Sequence, residues 1–405
     1  MRQLKILVVH NFYRSATPSG ENQVFELECG LLRKHGHDLR RLTRHSDELE
    51  SEGAWGKVKG AMCVPWNPFS ARELREAVQK FQPDIVHAHN TFPVISPSIF
   101  AAAKGIARVH RLPNYRVFCA GGVSMRDGRV CTECLDRRSS LPALLHGCYR
   151  GSRIATAPIA AGVALHRLRK TWERDVDAFI VLSEFQRDKM VDGGLPRERV
   201  FVKPNFFPGN PEVAPWDARP KRAVFVGRLS AEKGVRSLLR AWALWGENAP
   251  ALRIVGDGQE RSGLEALARS RGLSVRFMGQ LPPGEAQAEI GRARLVVLPS
   301  ECLEGFPMVL REAFALGTPS AVSNIGPLPG LVREPESGCI FEPANPESLL
   351  DAVRSAWENP RLLERWSRGA RAAFEAKYTE DANYAMLMSI YEQAIERARR
   401  TQHAR

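Results

Sequence analysis

Short β-branched and aliphatic runs alternate with helical patterns along almost the whole chain, and that rhythm stops once and then restarts. Such alternation is the signature of parallel sheets covered by helices on both faces, because each crossover between parallel strands needs a helix-sized connection. Residues 4–10 read as a buried strand, 21–34 as an amphipathic helix and 38–42 as the next strand after Gly36. A helix over 71–81 leads to a strand at 84–87, and a helix over 97–104 leads to a strand at 107–112. The rhythm then fails until 178–182. A second series has strands at 223–226, 252–255, 275–277, 295–298 and 320–322, with helices between them. Residues 204–220, rich in Pro, Asn and Gly, separate the two series and read as a linker. Three helical stretches follow at 346–357, 361–377 and 381–399, the last polar enough to run back over the first half. The sequence therefore predicts an α/β chain with two doubly wound Rossmann-like domains: 1–205, carrying an insertion at about 113–174; 206–380; and a C-terminal helix, 381–405, packing on the first domain.

With 405 residues, 44 % of them hydrophobic and 25 % charged, the chain is long enough for two cores and too apolar for disorder. The longest uncharged apolar stretch, 154–165, falls short of the roughly 20 residues a bilayer-spanning helix needs. The N-terminus lacks a small-residue cleavage site and reads as a first strand, so the expected location is the cytoplasm. The net charge of +13 is concentrated: residues 104–174 hold 14 Lys and Arg against 4 Asp and Glu. A local basic surface suits an anionic partner or is a solvated face. Nucleic acid is not expected, because the segment has few interleaved aromatics and no recognised binding module. The same segment holds Cys119, Cys131, Cys134 and Cys148. The two-residue spacing of Cys131 and Cys134 lets both grip one zinc ion with Cys119 and Cys148 as outer ligands; buried free thiols are the alternative. The histidines at 35, 37, 45, 146 and 166 read as surface or packing residues, and Trp242 and Trp245 as core.

In open parallel sheets ligands bind beyond the carboxyl ends of the strands. Three such loops in the second series suit one anionic ligand. Gly227-Arg228-Leu229-Ser230-Ala231-Glu232-Lys233-Gly234 puts two cations on one short loop, which a diphosphate requires. Gly256-Asp257-Gly258 lets backbone approach a ligand, or is a plain turn. In the third loop, Gly305 and Phe306 precede Pro307, expected at the first position of a helix whose free amides face an anion. Glu304 lies just outside that helix and Glu312 inside it. A carboxylate there would repel phosphate, so hydrogen bonding to sugar hydroxyls suits it better. A glutamate favoured by the helix dipole is the competing reading.

On these residues the chain resembles the retaining, nucleotide-sugar-dependent glycosyltransferases of family four, which have the GT-B fold, two Rossmann-like domains facing a central cleft. Glu304 and Glu312, followed by Ala-Phe-Ala-Leu-Gly-Thr-Pro at 313–319, match that family's paired-glutamate motif. The resemblance implies that Glu304, the catalytic candidate, contacts the donor sugar and Glu312 the ribose. It also places Arg228, Lys233, Gly256, Gly305, Phe306 and, across the cleft, Gly20 around the donor diphosphate. His10-Asn11, Ser19-Gly20-Glu21 and His89-Asn90 look like landmarks of a subgroup that builds bacterial surface polysaccharides. With Asn114, residues His10, Asn11, His89 and Asn90 then belong to the acceptor side. Two departures stand out. Ser19 replaces a glycine, and Pro113 stands where the subgroup has a histidine; His110, an odd number of residues away on a strand, points to the other face.

The expected partners are a nucleoside diphosphate sugar, a saccharide or lipid-linked saccharide acceptor, and anionic membrane touching the basic surface. No cofactor is expected for the chemistry. Pro113 leaves a second expectation open: a nucleotide-sugar-binding or scaffolding relative with weakened activity.

Overall fold

The computed structural model describes residues 2–13, 19–51, 53–333 and 336–403. The chain divides into two compact units, one of Met1–Ser124, Thr132–Pro204 and Asn383–Arg405, the other of Met125–Cys131 and Asn205–Ala382.

Each unit is built on a six-stranded parallel sheet. In the first unit the strands are β1 (Lys5–Phe12), β2 (Asp38–His45), β3 (Ile85–Asn90), β4 (Ala107–Arg111), β5 (Ala178–Val181) and β6 (Val200–Val202), in the order β2-β1-β3-β4-β5-β6. In the second they are β7 (Arg222–Val226), β8 (Ala251–Val255), β9 (Val275–Gly279), β10 (Leu295–Leu298), β11 (Ser320–Ser323) and β12 (Gly338–Phe341), in the order β9-β8-β7-β10-β11-β12. This second order is that of a dinucleotide-binding sheet, whose strand order reverses beside β7. Helices cover both faces, so β3, β5, β10 and β11 are buried at every position, which is why they read as unbroken rather than alternating runs. The two doubly wound units expected from the sequence are thus present.

Helices are placed by their apolar stripes. Helix α1 (Gly20–Lys34) buries Val24, Phe25, Cys29, Leu31 and Leu32, spaced three and four apart, and Ser19 caps it by accepting from Asn22 N at 3.5 Å. The substitution of Ser19 for glycine therefore supplies a cap. Inside the insertion, α2 (Arg153–Leu168) is the long element, preceded by a small hairpin (Met125–Arg126 with Arg129–Val130) and two short helices. In the second unit α3 (Val235–Trp245) buries Trp242, whose Nε1 donates to Pro250 O at 2.8 Å, and α4 (Met308–Ala315) follows β10. The last helix, α5 (Glu380–His403), joins the first unit from Asn383 onward. There Tyr384 Oη meets His37 at 2.8 Å, Tyr391 Oη meets His87 at 2.7 Å, and Asn383 donates to Pro204 O at 2.6 Å.

Three expectations need correction. The short edge strands β6 and β12 were not predicted: β6 has three residues and β12 opens on Gly338, so neither offers a run long enough to read. The helix Gly53–Cys63 was likewise unforeseen. Residues 204–220 do not hang free as a linker. Phe206 and Phe207 are buried, Phe207 N donates to Tyr378 O at 3.0 Å, and Arg311 Nη1 donates to Phe206 O at 2.5 Å, so the start of this segment is packed into the second unit.

Candidate functional site

In the second unit the loops after β7, β8 and β10 are held together backbone to backbone. Gly227 N donates to Val255 O at 3.0 Å, Leu229 N to Asp257 O at 2.9 Å, and Glu301 N to Glu232 O at 2.9 Å. Glycine is required at two of the crossings. A Cβ on Gly256 (φ +134°) would lie 1.9 Å from Gly227 O, and one on Gly234 (φ +66°) 1.9 Å from Pro299 O. Any side chain at either place would drive the loops apart.

That framework brings Lys233 and Glu304, 71 residues apart, to 2.5 Å between Nζ and Oε1. Ser300 Oγ donates to the same carboxylate oxygen at 2.8 Å. Burial on its own would raise the pKa of Glu304. Lys233, Ser300 and the nearby Arg228 guanidinium overcome it and hold Glu304 below the usual carboxylate range. Burial similarly pushes the Lys233 ammonium down, but Glu304 reverses this and its pKa is raised. Both groups stay charged, with side chains 27 % and 14 % exposed, so the pair is reachable from solvent. Arg228 stands exposed on the same loop. Arg228, Lys233, Ser300, Glu304 and the Gly256 turn therefore line one mouth.

The approach to α4 differs in detail from expectation. Pro307 is the capping residue, not the first helical one, because its ψ of 130° is extended; its carbonyl accepts from Leu310 N at 3.1 Å. Gly305 is half-buried, and the Phe306 side chain is buried against Tyr378 at a ring distance of 5.2 Å, anchoring the loop. Glu312, a little over one turn into α4, has burial raising its pKa more than the neighbouring Arg311, 3.4 Å away, lowers it. The two glutamates of the motif are thus pushed in opposite directions, one firmly ionised and one poised closer to protonation.

The first unit treats its candidates less uniformly. Gly20 is the exposed first residue of α1. His10 is buried and stacked on Phe25 at 4.4 Å, with Nε2 on Asn22 Oδ1 at 3.1 Å; burial and then His89 lower its pKa to about 3. Asn11 donates to Ser46 Oγ at 3.0 Å and accepts from Val94 N at 3.1 Å; Asn90 donates to Asn11 O at 2.8 Å and accepts from Phe92 N at 3.0 Å. Those two asparagines fasten the loop after β3. Asn114 accepts from Arg116 N at 3.0 Å and donates to Glu21 Oε1 at 3.0 Å. His89, Asn90, Pro113 and Asn114 all line one cavity at the carboxyl ends of β3 and β4. His110 lies against Phe100, Trp172 and Phe179, with a pKa lowered to about 3 by burial, so it remains a neutral packing group.

Sequence reasoning missed two clusters. Glu21, half-buried, has its pKa raised by burial despite Arg111, Asn114 and Arg116. Behind it, Lys203 Nζ donates to Glu28 Oε2 at 2.6 Å and to Asn383 Oδ1 at 2.8 Å, while His89 Nε2 lies 3.0 Å and His87 Nδ1 3.4 Å from Glu28 Oε1. The available signal was a carboxylate, Glu28, on the otherwise apolar stripe of α1. Glu28, His87 and His89 are, among the described residues, the only trio of possible ligands close enough for one metal ion, and Lys203 already supplies their positive charge.

Zinc binding by Cys119, Cys131, Cys134 and Cys148 is a proposal tested by elemental analysis of the purified protein, one zinc per chain or none. Cys134 is buried, and Cys119, Cys131 and Cys148 are half-buried. The helix that starts at Glu133 turns Cys134 into a small apolar cluster with Ala120, Ala143 and Ile159, and Cys148 packs against it.

Two family descriptions match consecutive parts of the chain: "Glycosyl transferase 4-like domain" over residues 19–205 and "Glycosyl transferases group 1" over 208–373. The chain belongs to the family-four glycosyltransferases and has their GT-B fold. Among curated proteins it is similar to the glycogen synthase of Mycobacterium tuberculosis, 27 % identical over 313 residues, which cover 72 % of this chain and 64 % of that protein's length. Among solved structures it resembles a glycosyltransferase from Rickettsia africae (TM-score 0.69, 13 % identity, 98 % of this chain and 99 % of that one). Anabaena HepE in complex with UDP is also similar (TM-score 0.63, 16 % identity, 97 % and 99 %).

Proposed function

We propose that this protein transfers a sugar, with retention of anomeric configuration, from a nucleoside diphosphate sugar to a lipid-linked saccharide in the assembly of a bacterial surface polysaccharide. The observation that carries this reading is the Arg228, Lys233, Ser300 and Glu304 constellation at the mouth of the second sheet. The UDP complex of HepE and the activity named for the glycogen synthase support the same class of donor.

The chemistry follows from where charge develops. Breaking the bond between the anomeric carbon and phosphate leaves an oxocarbenium-like sugar and a diphosphate of growing negative charge. Arg228, Lys233 and the amides preceding α4 would stabilise that charge in place, which is where preorganised electrostatics act most strongly. The ionised Glu304 holds Lys233 aimed at the diphosphate and offers its remaining valence to sugar hydroxyls. Glu312, partly desolvated, would accept from the ribose. On this reading no carboxylate is assigned as a covalent nucleophile, and the leaving phosphate would take the acceptor proton on the same face. These cations and amides can carry the leaving charge without a divalent metal.

The acceptor side rests on α2. Its residues Ile154 and Leu168 are 88 % and 82 % exposed, with Ala161 and Ala164 exposed between them on one face. The helix contains no acidic residue, and exposed Arg150, Arg153, Arg169 and Lys170 flank it. An apolar stripe with basic ends suits the surface of an anionic membrane, at the cytoplasmic side. No described helix is long and apolar enough to cross a membrane.

A screen of purified protein against a panel of nucleotide sugars, UDP-sugars first, tests the reading. A thermal upshift and release of nucleoside diphosphate with the same donor are expected. Binding with no release in the presence of lipid-linked saccharides would favour the alternative that Pro113 suggests, a binding or scaffolding relative.

A further inference from the structure

At the carboxyl ends of β3 and β4 lies a cavity that opens to solvent. It is roofed by α2, through Ile159 and Val163, and walled by Val64, Phe92, Leu112 and Trp172. No Asp or Glu lines it, whereas Arg111 and Arg116 do. The Arg116 guanidinium lies over the Phe92 ring at 4.2 Å, so positive charge and hydrocarbon meet in one wall.

The lining also holds polar groups. Three lining residues that are at least nine-tenths buried carry polar atoms without a hydrogen-bond partner among the described residues: His89 Nδ1, His110 Nδ1 and Trp172 Nε1. These atoms are enclosed by packing, as are others elsewhere in the molecule, and they belong to the wall of the cavity. The occupant is constrained by the lining. Aliphatic walls together with two guanidinium groups suit an occupant that carries both hydrocarbon and negative charge. The residues of α2 that roof the cavity lie on the opposite face from the exposed Ile154, Ala161, Ala164 and Leu168 stripe. Only the thickness of one helix separates the cavity from the surface assigned to the membrane.

We infer that this cavity binds the first carbons of a hydrocarbon chain attached to a phosphate, the lipid end of the acceptor, with Arg111 and Arg116 on the phosphate side. The inference rests on the reading that the acceptor is lipid-linked. It makes the insertion a selector for the lipid carrier, and it gives Pro113 a place in the wall of the lipid site.

Calorimetric titration of the full chain with geranyl phosphate, decyl phosphate, geraniol and inorganic phosphate tests this. Geranyl phosphate should bind, geraniol at least tenfold more weakly, and inorganic phosphate not measurably. Decyl phosphate matching geranyl phosphate would assign the site to saturated chains, and weaker decyl binding would assign it to isoprenoid chains; either supports the pocket. Val117, half-buried in the lining, is the position to fill. Val117→Trp should weaken geranyl phosphate at least tenfold while nucleotide affinity and Tm stay as in wild type. The smaller Val117→Phe should fall between, which keeps the test alive if the larger side chain unfolds the protein. Absence of amphiphile binding, or undiminished binding by a folded Val117→Trp, overturns the pocket. If nucleotide-sugar transfer to a lipid-free saccharide proceeds meanwhile, the transferase reading survives alone. Amphiphile binding without transfer of any sugar would do the reverse.

Discussion

Two lysine–glutamate pairs, one in each unit, have nearly the same separation and opposite surroundings. Lys203 and Glu28 meet at 2.6 Å with side chains 2 % and 1 % exposed, and Asn383, His87 and His89 crowd round them. Lys233 and Glu304 meet at 2.5 Å with side chains 27 % and 14 % exposed, attended by Ser300 and facing solvent beside Arg228. The closed pair is walled in by neighbours and ties α5 to α1 and the end of β6. The open pair retains capacity for a ligand. Distance alone thus says little about what an ion pair does; what else reaches the two charges decides it.

Breaking each pair should separate the two roles. Glu304→Ala should lower kcat by about two to three orders of magnitude, as loss of a preorganised polar group at a reacting centre does, with Tm nearly unchanged. Near-wild-type turnover from a folded variant would remove Glu304 from the chemistry. Glu28→Ala should instead destabilise the protein by about 3–5 kcal/mol, because it strands a buried ammonium. Combining it with Lys203→Met should restore much of that in denaturant unfolding. A destabilisation below about 1 kcal/mol would show that the closed pair is not structural.

The first unit should also be the acid-sensitive one. Burial lowers His10 and His110 to about 3 and His166 to about 4, so these rings stay neutral in the folded state. Unfolded histidine takes up protons below about pH 6.5. The unfolded state then binds more protons than the native one, so stability is level above that pH and falls on acidification. The expected slope is about 1.4 kcal/mol per pH unit for each such ring, read as a falling Tm between pH 6.5 and 4. A flat profile over that range would contradict the buried neutral rings. The smallest effect belongs to Ser300→Ala, which removes one hydrogen bond to a charged group, about 1.5–3 kcal/mol at most. It should reduce kcat less than Glu304→Ala and leave nucleotide affinity in place.

The same contrast explains what the sequence could tell. The open site was legible because its parts follow strand ends: Arg228 and Lys233 after β7, Gly256 after β8, and Glu304 after β10. Loop position, glycine and charge are all one-dimensional signals. What could not be seen was that Lys233 would be paired with Glu304, since their meeting depends on the Gly234 and Pro299 backbones touching. The closed pair was illegible for a stronger reason: Glu28 and Lys203 are 175 residues apart and Asn383 a further 180 along. In the insertion, the spacing of Cys131 and Cys134 carries no direction, so the sequence alone did not show that Cys134 packs with Ala120, Ala143 and Ile159. The 154–165 run showed its hydrophobicity and concealed that one of its faces is exposed.

The diphosphate cradle of the second unit is tested most directly by calorimetric titration of UDP, and of GDP if UDP is silent, into wild type and the Arg228→Ala/Lys233→Ala double variant. Micromolar-range binding by wild type and a loss of tenfold or more in the folded double variant is the expected result, about 1.4 kcal/mol or more. Equal affinity in the two proteins would place the nucleotide elsewhere and contradict the assignment of that mouth to the donor.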